Sequence, residues 1–472
     1  MRSPVLESSP AVEELRAALR GQVITPADPE YDTVRRVFNA MIDRRPALIV
    51  RCLDTADVLA ALAHARAEGL PVAVRGGGHS IAGHGTCDGG LLVDLSLMRG
   101  VHVDPARRTV RAQPGATLGD VDRESQVHGL AVPSGQVSET GIAGLTLSGG
   151  MGMLQRKYGL TCDNLLSVDM VTVNGELVTA SAEQNTELFW AVRGGGGNFG
   201  IVTSFEYRAH PVGPMMLAGI VAYPVEEAPA VLEFLRDEIA DTPDELSTDV
   251  VFLRVPDLEF FPSEHRGRPV VAFFLRYAGD VDEGWEVVRR FREFGEPLID
   301  VVAPMPLVHV QSMLDPANPR DHQQYWTSEF LPEFGPDERA AVARIGADLP
   351  SPETVLQVIP FDAAPTRVPA DATAFAHREE SWLIHIVGQW ADPADNDRCR
   401  GWVREAGTRL RAFGTGAAYL NLLSEDDADM RVSAFWNDAR LRRLARVKAQ
   451  YDPDNLLRFN HNIPPAPAED ER

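Results

Sequence analysis

Apolar positions recur along this chain with two different spacings, and their alternation sets out the elements. Ala47 to Cys52 (ALIVRC) is a short unbroken apolar run, as is Pro71 to Val74, and both read as buried strands. Between them Thr55 is placed to cap an amphipathic helix, DVLAALAHARAEG, that Gly69 closes, giving a strand-helix-strand unit. After Leu97, VHVDPARRTVRAQPG alternates as two strands around an Asp104-Pro105 turn, and LGDVDRESQVHG follows as a helix ending at Gly129. Leu166 to Ala180 reads as a hairpin about Asn174-Gly175, and a helix EQNTELFWAVR precedes the strand IVTSFEYRAH. From residue 215 to about 425 alternating strands such as VVAFFLRYAG and WLIHIVGQW are separated by helical runs such as EGWEVVRRFREFG and DERAAVARIGADL, the pattern of an antiparallel sheet with helices. A capped surface helix from about Pro10 opens the chain. A basic helix, RLRRLARVKAQY, is stopped by Asp452-Pro453 before an extended tail and a frayed acidic end. The fold class implied is α+β.

Three glycine-dense tracts interrupt this pattern. Pro71 to Asp94 puts His79 on a turn between two apolar strands, with Leu91-Leu92-Val93 as the second. Successive free N–H groups in such a turn make a concavity suited to phosphate oxygens, and Arg75 is expected to add a positive charge at its edge. The second tract begins at Pro133 and has glycines at 135, 141, 144, 149, 150 and 152, too many for a stable helix at about 1 kcal/mol each against Ala. So long a loop points to ligand binding. The third, Gly194 to Gly200, satisfies GxGxxG but stands between a helix and a strand, the reverse of the order a dinucleotide fold requires.

The chain has 472 residues, 44% hydrophobic and 24% charged, the profile of a globular protein with more than one core. A formal net charge of −23 argues against a nucleic-acid partner. Cys52, Cys87, Cys162 and Cys399 show no paired or metal-ligand spacing, so no metal is expected, and Cys87 and Cys162 read as buried small hydrophobes. With no signal-peptide core and no apolar run of about 18 residues, the expectation is a cytoplasmic protein without a membrane partner. Phosphate-loop, zincin and EF-hand motifs are missing, and GHSIA around Ser80 is one residue short of a nucleophile elbow.

In order along the chain, RGGGHS, the SGxxxxTGxAGLTLSGGMGxxxRKYGLTCDN tract, RGGGGNFGIVTSFEY and the terminal YDPDNLLRFNHNIPP resemble the berberine-bridge-enzyme-like family of FAD-linked oxidoreductases, in its bacterial branch. The resemblance implies a PCMH-type FAD-binding domain of two α+β subdomains and a substrate domain on an antiparallel sheet with helices on one face. The corresponding division is an N-terminal helical segment over 1–42, FAD binding over 43–213, substrate binding over 214–428, and a C-terminal segment, 429–472, returning to the FAD domain. It implies that Arg75, Gly76, Gly77, Gly78, His79 and Ser80 cradle the pyrophosphate, with His79 bonded to the 8-methyl carbon of the isoalloxazine. Ser134, Gly135, Thr140, Gly141, Gly144, Thr146, Gly149, Gly150 and Gly152 would line the flavin, Asn198, Gly200 and Val202 the adenine and ribose side, and Asn460 and Asn462 would close over the ring.

Two positions depart from the family pattern. Val137 stands where many members carry a cysteine bonded to FAD, so a single link through His79 is expected. Tyr419-Leu420-Asn421-Leu422 replaces Tyr-x-Asn-Tyr in the last substrate-domain strand, and Leu422 cannot take a proton. The base candidates are then Tyr325, Glu329, His377, Glu379, His385 and Tyr419. Tyr419 with Asn421, Tyr325 and His377 are the expected catalytic residues. The implied reaction removes a hydride from a C–H bond next to O or N of a small organic molecule. Thr140, small where a side chain can gate dioxygen, favours reoxidation by dioxygen to hydrogen peroxide. Oxidative ring closure or a dehydrogenase that avoids dioxygen are the alternatives, and a non-catalytic flavin-binding protein is a third.

Overall fold

The computed structural model describes residues 9–257, 261–379, 381–426 and 435–467. The 428/429 boundary and the acidic end lie outside these residues. The first helix is Pro10–Ala18, with the Ser9 hydroxyl accepting from the Val12 amide. A first sheet contains β1 (Gln22–Ile24), β2 (Leu48–Arg51), β3 (Val72–Arg75) and β4 (Leu91–Asp94) in the order β1-β2-β4-β3, with β2, β4 and β3 parallel. The crossover helix Thr55–Ala67 buries Val58, Ala61, Leu62 and Ala65, one face at helical spacing, against this sheet. Its cap is Asp54 rather than Thr55: the Asp54 carboxylate accepts from the Asp57 amide, and an ionised cap adds a favourable charge at the helix start. Gly69 ends it at φ 63°, the left-handed conformation.

A second, wholly antiparallel sheet comprises β5 (Val101–Asp104), β6 (Thr109–Ala112), β8 (Leu165–Val171), β9 (Leu177–Ser181) and β10 (Ile201–Arg208), in the order β5-β6-β10-β8-β9. A short ribbon pairs β7 (Leu130–Ala131) with β11 (His210–Pro211). Helix Leu118–Gln126 starts at a capping box between Thr117 and Asp120. The second glycine tract is not free of helix, as its composition implies. Ile142–Leu147 makes six helical residues, and Gln155–Tyr158 and Thr161–Asn164 single turns, because Ile142, Ala143 and Thr146 are buried in the second core and tertiary packing overrides the glycine cost. In the third tract the order is helix Thr186–Ala191, glycines, then β10, so no dinucleotide turn forms.

The third sheet is antiparallel: β12 (Met215–Pro224), β13 (Leu246–Arg254), β14 (Pro269–Tyr277), β15 (Ile299–Asp300), β16 (Ala303–Pro306), β17 (Gln323–Leu331), β18 (Val355–Phe361) and β19 (Ser381–Trp390). Its order is β15-β12-β14-β13-β18-β19-β17, with β16 also on β12. The two-residue strand period divides its side chains. Val221, Phe252, Phe273, Val358 and Ile384 pack under helices Ala228–Glu238, Val281–Arg292, Pro336–Gly346 and Asn396–Arg411. Ile220, Val251, Phe274, Ile359 and Leu383, their neighbours along the strands, face a deep cleft against the first two sheets.

Helix Asp438–Tyr451 brings the chain back. Its Lys448 is fully buried and donates to the Asn198 and Leu457 carbonyls at 2.8 and 2.9 Å and to Asp452 at 2.6 Å, tying the tail to the third glycine tract. Among the described residues no helix is long and apolar enough to cross a membrane, and no group of three or more His, Cys, Asp or Glu could hold a metal.

Candidate functional site

The cleft is walled by glycine main chain on one side and by the third sheet on the other. Arg75 ends β3 directly opposite Asp94, the last residue of β4, and the register closes their side chains on each other: Nη2 to Oδ2 is 2.7 Å and Nε to Oδ1 is 3.1 Å. Both are buried, and Arg75 and the Ser96 amide hold the Asp94 carboxyl below its usual range against the upward pull of desolvation. The Arg75 charge is therefore neutralised rather than offered to a ligand, as the sequence had suggested. Its work is to clamp the start of the turn, and Nη1 donates to the Arg36 carbonyl.

Gly77 and Gly141 touch backbone to backbone: a Cβ on either would stand 2.5 Å from main-chain atoms of the other. Only glycine permits this approach, and it joins the first two tracts into one floor. Gly76, Gly77, Gly78, His79, Ser80, Gly135, Val137, Thr140, Gly141 and Gly144 line the cleft there. The His79 ring stacks on Phe38 at 3.9 Å and 18°. Burial pushes its pKa down to about 3, with Arg320 contributing, so the imidazole is neutral. Nε2 is buried with no hydrogen-bond partner among the described residues. The Ser80 hydroxyl accepts from the His84 amide.

Not every residue the resemblance pointed to reaches the cleft. Ser134, Thr146, Gly149, Gly150, Gly152, Asn198 and Asn462 stand behind its lining. The Thr146 hydroxyl donates to the Ile142 carbonyl and meets the Tyr207 hydroxyl. Side chains on Gly149, Gly150 and Gly152 would collide with Phe375, Thr161 and the Ser134 carbonyl, so these glycines serve packing. Asn198 is a staple: its amide donates to the Gly195 and His461 carbonyls, and its oxygen accepts from the Ile463 amide. Gly200, Val202 and Asn460 do line the cleft, whereas Asn462 borders a small outer pocket with Arg44 and Arg458. Cys162 is buried away from the lining, its thiol raised by burial.

Of the catalytic candidates, Tyr419, Asn421 and His385 face the cleft. Tyr419 precedes a 3-10 turn, Leu420–Leu422, and not a strand; its buried hydroxyl accepts from the Gly150 amide at 2.8 Å and from Asn421 Nδ2 at 2.9 Å. Burial raises its pKa well above the ordinary value, so it is a neutral phenol. Tyr419→Phe should leave that amide unpartnered and cost about 1–3 kcal/mol, read as a lower urea midpoint. Tyr325 lies on the helix-covered face of β17, bonded to Asp426 at 2.9 Å and Arg404 at 3.0 Å, outside the cleft. His377 packs among Phe330, Phe375 and Phe435 and is also outside it. The Glu329 carboxylate accepts from the Gly416 amide, and Glu379 is exposed. Residues not anticipated are His84 and His461, which meet edge to face at 4.7 Å inside the lining, and Trp326 beside His385. His461 stands between the two tail asparagines, and a signal for it lay in that position alone.

Two family models match the chain: one described as FAD binding domain over residues 46–181, and one described as berberine and berberine like over residues 418–464. The chain is 31% identical over 465 residues to (R)-6-hydroxynicotine oxidase of Paenarthrobacter nicotinovorans, covering 95% of this chain and 97% of that protein. An FAD-linked oxidoreductase of Dictyostelium discoideum is 30% identical over 459 residues, with 96% and 97% covered. The crystal structure of 6-hydroxy-D-nicotine oxidase from Arthrobacter nicotinovorans matches with a TM-score of 0.83 at 30% identity, over 95% of this chain and 98% of that one.

Proposed function

Because the chain belongs to the berberine-bridge-enzyme-like family of FAD-linked oxidoreductases, and is therefore an FAD-dependent enzyme, we propose that it is an oxidase acting on a C–H bond next to O or N of a small organic molecule. We further assign its FAD a single covalent bond, through His79. The observation that carries this reading is the neutral, buried His79 ring with a nitrogen that has no partner among the described residues, set in a floor of glycine main chain where a Cβ would intrude. These residues fit a flavin dinucleotide. Bound FAD supplies two-electron acceptance as a hydride and, with dioxygen, its return as hydrogen peroxide.

In this reading Gly76 to Ser80, with Gly141 and Gly144, hold the cofactor by main chain, and Gly200, Val202 and Asn460 border its other end. Arg75 and Asp94 fix the entry to the turn. Val137 offers no second attachment. Tyr419, held by Gly150 and Asn421, presents a neutral hydroxyl to the cleft and orients rather than abstracts. Residues 43–213 serve the cofactor and 214–428 the substrate. Thr140, small and part of the lining, supports access for dioxygen. Turnover of a substrate under air should therefore yield one hydrogen peroxide per substrate oxidised, measured by a peroxidase-coupled assay. Dependence on an artificial acceptor under air would instead make the enzyme a dehydrogenase.

A further inference from the structure

Charge is scarce in the cleft. Among the described residues that line it there is no Asp, Glu or Lys, and the one Arg among them, Arg75, is paired with Asp94. A charged substrate would thus be desolvated without a counter-ion, which costs several kcal/mol. The wall given by the third sheet is more restrictive still. Its cleft-facing positions are apolar, Phe274, Trp326, Leu383 and Val387 among them, except for Gln357 and His385 on the adjacent strands β18 and β19. Those two are paired with each other in register, and Gln357 Oε1 lies 3.1 Å from His385 Nδ1. With the amide oxygen accepting, the proton sits on Nδ1 and the lone pair on Nε2. Nε2 is buried and has no hydrogen-bond partner among the described residues. An ion pair on this face, Arg276 with Asp249 at 2.6 Å, stands outside the lining: Asp249 accepts from Gln136 Nε2 at 3.2 Å and the Arg276 guanidinium lies over the Phe274 ring, so both charges are screened from the cleft by lining side chains. His385 is fully buried and neutral, pushed down to about 3 by desolvation, so it offers an acceptor and not a charge.

We propose that the substrate of this cleft is an uncharged, largely apolar molecule, and that His385 Nε2 accepts the hydrogen bond of its O–H or N–H donor. The inference rests on the oxidase reading of the same cleft, which it deepens by naming the substrate class. An acceptor lone pair in an apolar wall discriminates sharply, because a ligand without a donor leaves it buried and unpaired. On the third-sheet wall a sugar, whose several hydroxyls need several partners, meets only His385 and the Gln357 amide already paired with it.

The test uses the flavin-loaded protein and three probes, phenol, anisole and glucose, with anaerobic titration followed by perturbation of the flavin spectrum. Phenol should bind about tenfold more tightly than anisole, and glucose should not saturate. In His385→Leu the phenol-to-anisole ratio should fall close to one with anisole binding retained. In His385→Gln, which keeps an acceptor, part of the preference should return. A ratio near one in the unmodified protein, a preference that survives His385→Leu, or saturation by glucose would each overturn the proposal; the first and third need no variant to fold. The two readings fail separately. Expected binding ratios, with no peroxide from any donor-bearing apolar compound, would remove the oxidase reading and leave the binding role. Peroxide from glucose would do the reverse.

Discussion

After acid precipitation the flavin of His79→Ala is expected in the supernatant, while that of the unmodified protein stays in the pellet. Intact mass should differ accordingly, with one FAD added to the unmodified chain and none to the variant. The expectation comes from the state of the imidazole. Burial holds it neutral, with its pKa near 3, so a ring nitrogen keeps its lone pair at any working pH. Stacking on Phe38 at 3.9 Å fixes the plane of the ring. Loss of the link should be complete, because position 137 is Val, and Cys162 lies outside the cleft with its thiol near Asp163, at 3.7 Å from Oδ1. Colour that leaves the unmodified protein on acid treatment would remove the covalent bond from the reading and keep the bound FAD.

Local chemistry was readable from the chain wherever one element decides its own shape. The Asp104-Pro105 and Asn174-Gly175 hairpins, the Gly69 stop and the reversed order around Gly194 to Gly200 all rest on neighbours within a few residues. The glycine tracts marked the cleft because main-chain approach leaves a compositional trace. Partnership across strands leaves none. Arg75 reads as a free cation until β4, nineteen residues on, supplies Asp94 in register with it. Facing was equally hidden in β17. Every residue from Gln323 to Leu331 is buried, so no polar alternation tells which face looks into the cleft, and Tyr325 falls under the helices while Trp326 does not. Tyr419 and Asn421 reach the cleft from a 3-10 turn, a different route from the strand the motif implied.

Burial of neutral histidines should make this protein lose stability steeply as pH falls from about 6.5 toward 4. Setting aside His79, which we assign to the flavin, three deeply buried rings line the cleft: His385 pushed down to about 3, His461 to about 4, and His84 well below its ordinary value, each chiefly by desolvation. The less buried His210, pushed down to about 4, and His64 act in the same sense and add to the slope. In the unfolded chain each takes a proton near pH 6.5. Between about pH 5.5 and 4.5 the unfolded state therefore binds about three more protons at the three lining rings than the folded one, and stability must rise with pH. Asp122 acts in the opposite sense. Burial raises it to about 8, so the folded state holds a proton that the unfolded chain gives up above about pH 3.9, and stability falls as pH rises. One proton against three leaves two, worth about 2.7 kcal/mol per pH unit at about 1.36 kcal/mol each. Paired carboxylates such as Asp94, held below their usual range, lose their contribution only further down. Unfolding free energies from urea titrations at about pH 5.5 and about pH 4.5, below the unfolded histidine value, should differ by this slope, and His461→Gln should flatten it by one proton. Equal free energies at the two pH values would mean that these rings take up protons in the folded state, and the cleft would then be wet and polar where His385 requires it to be dry.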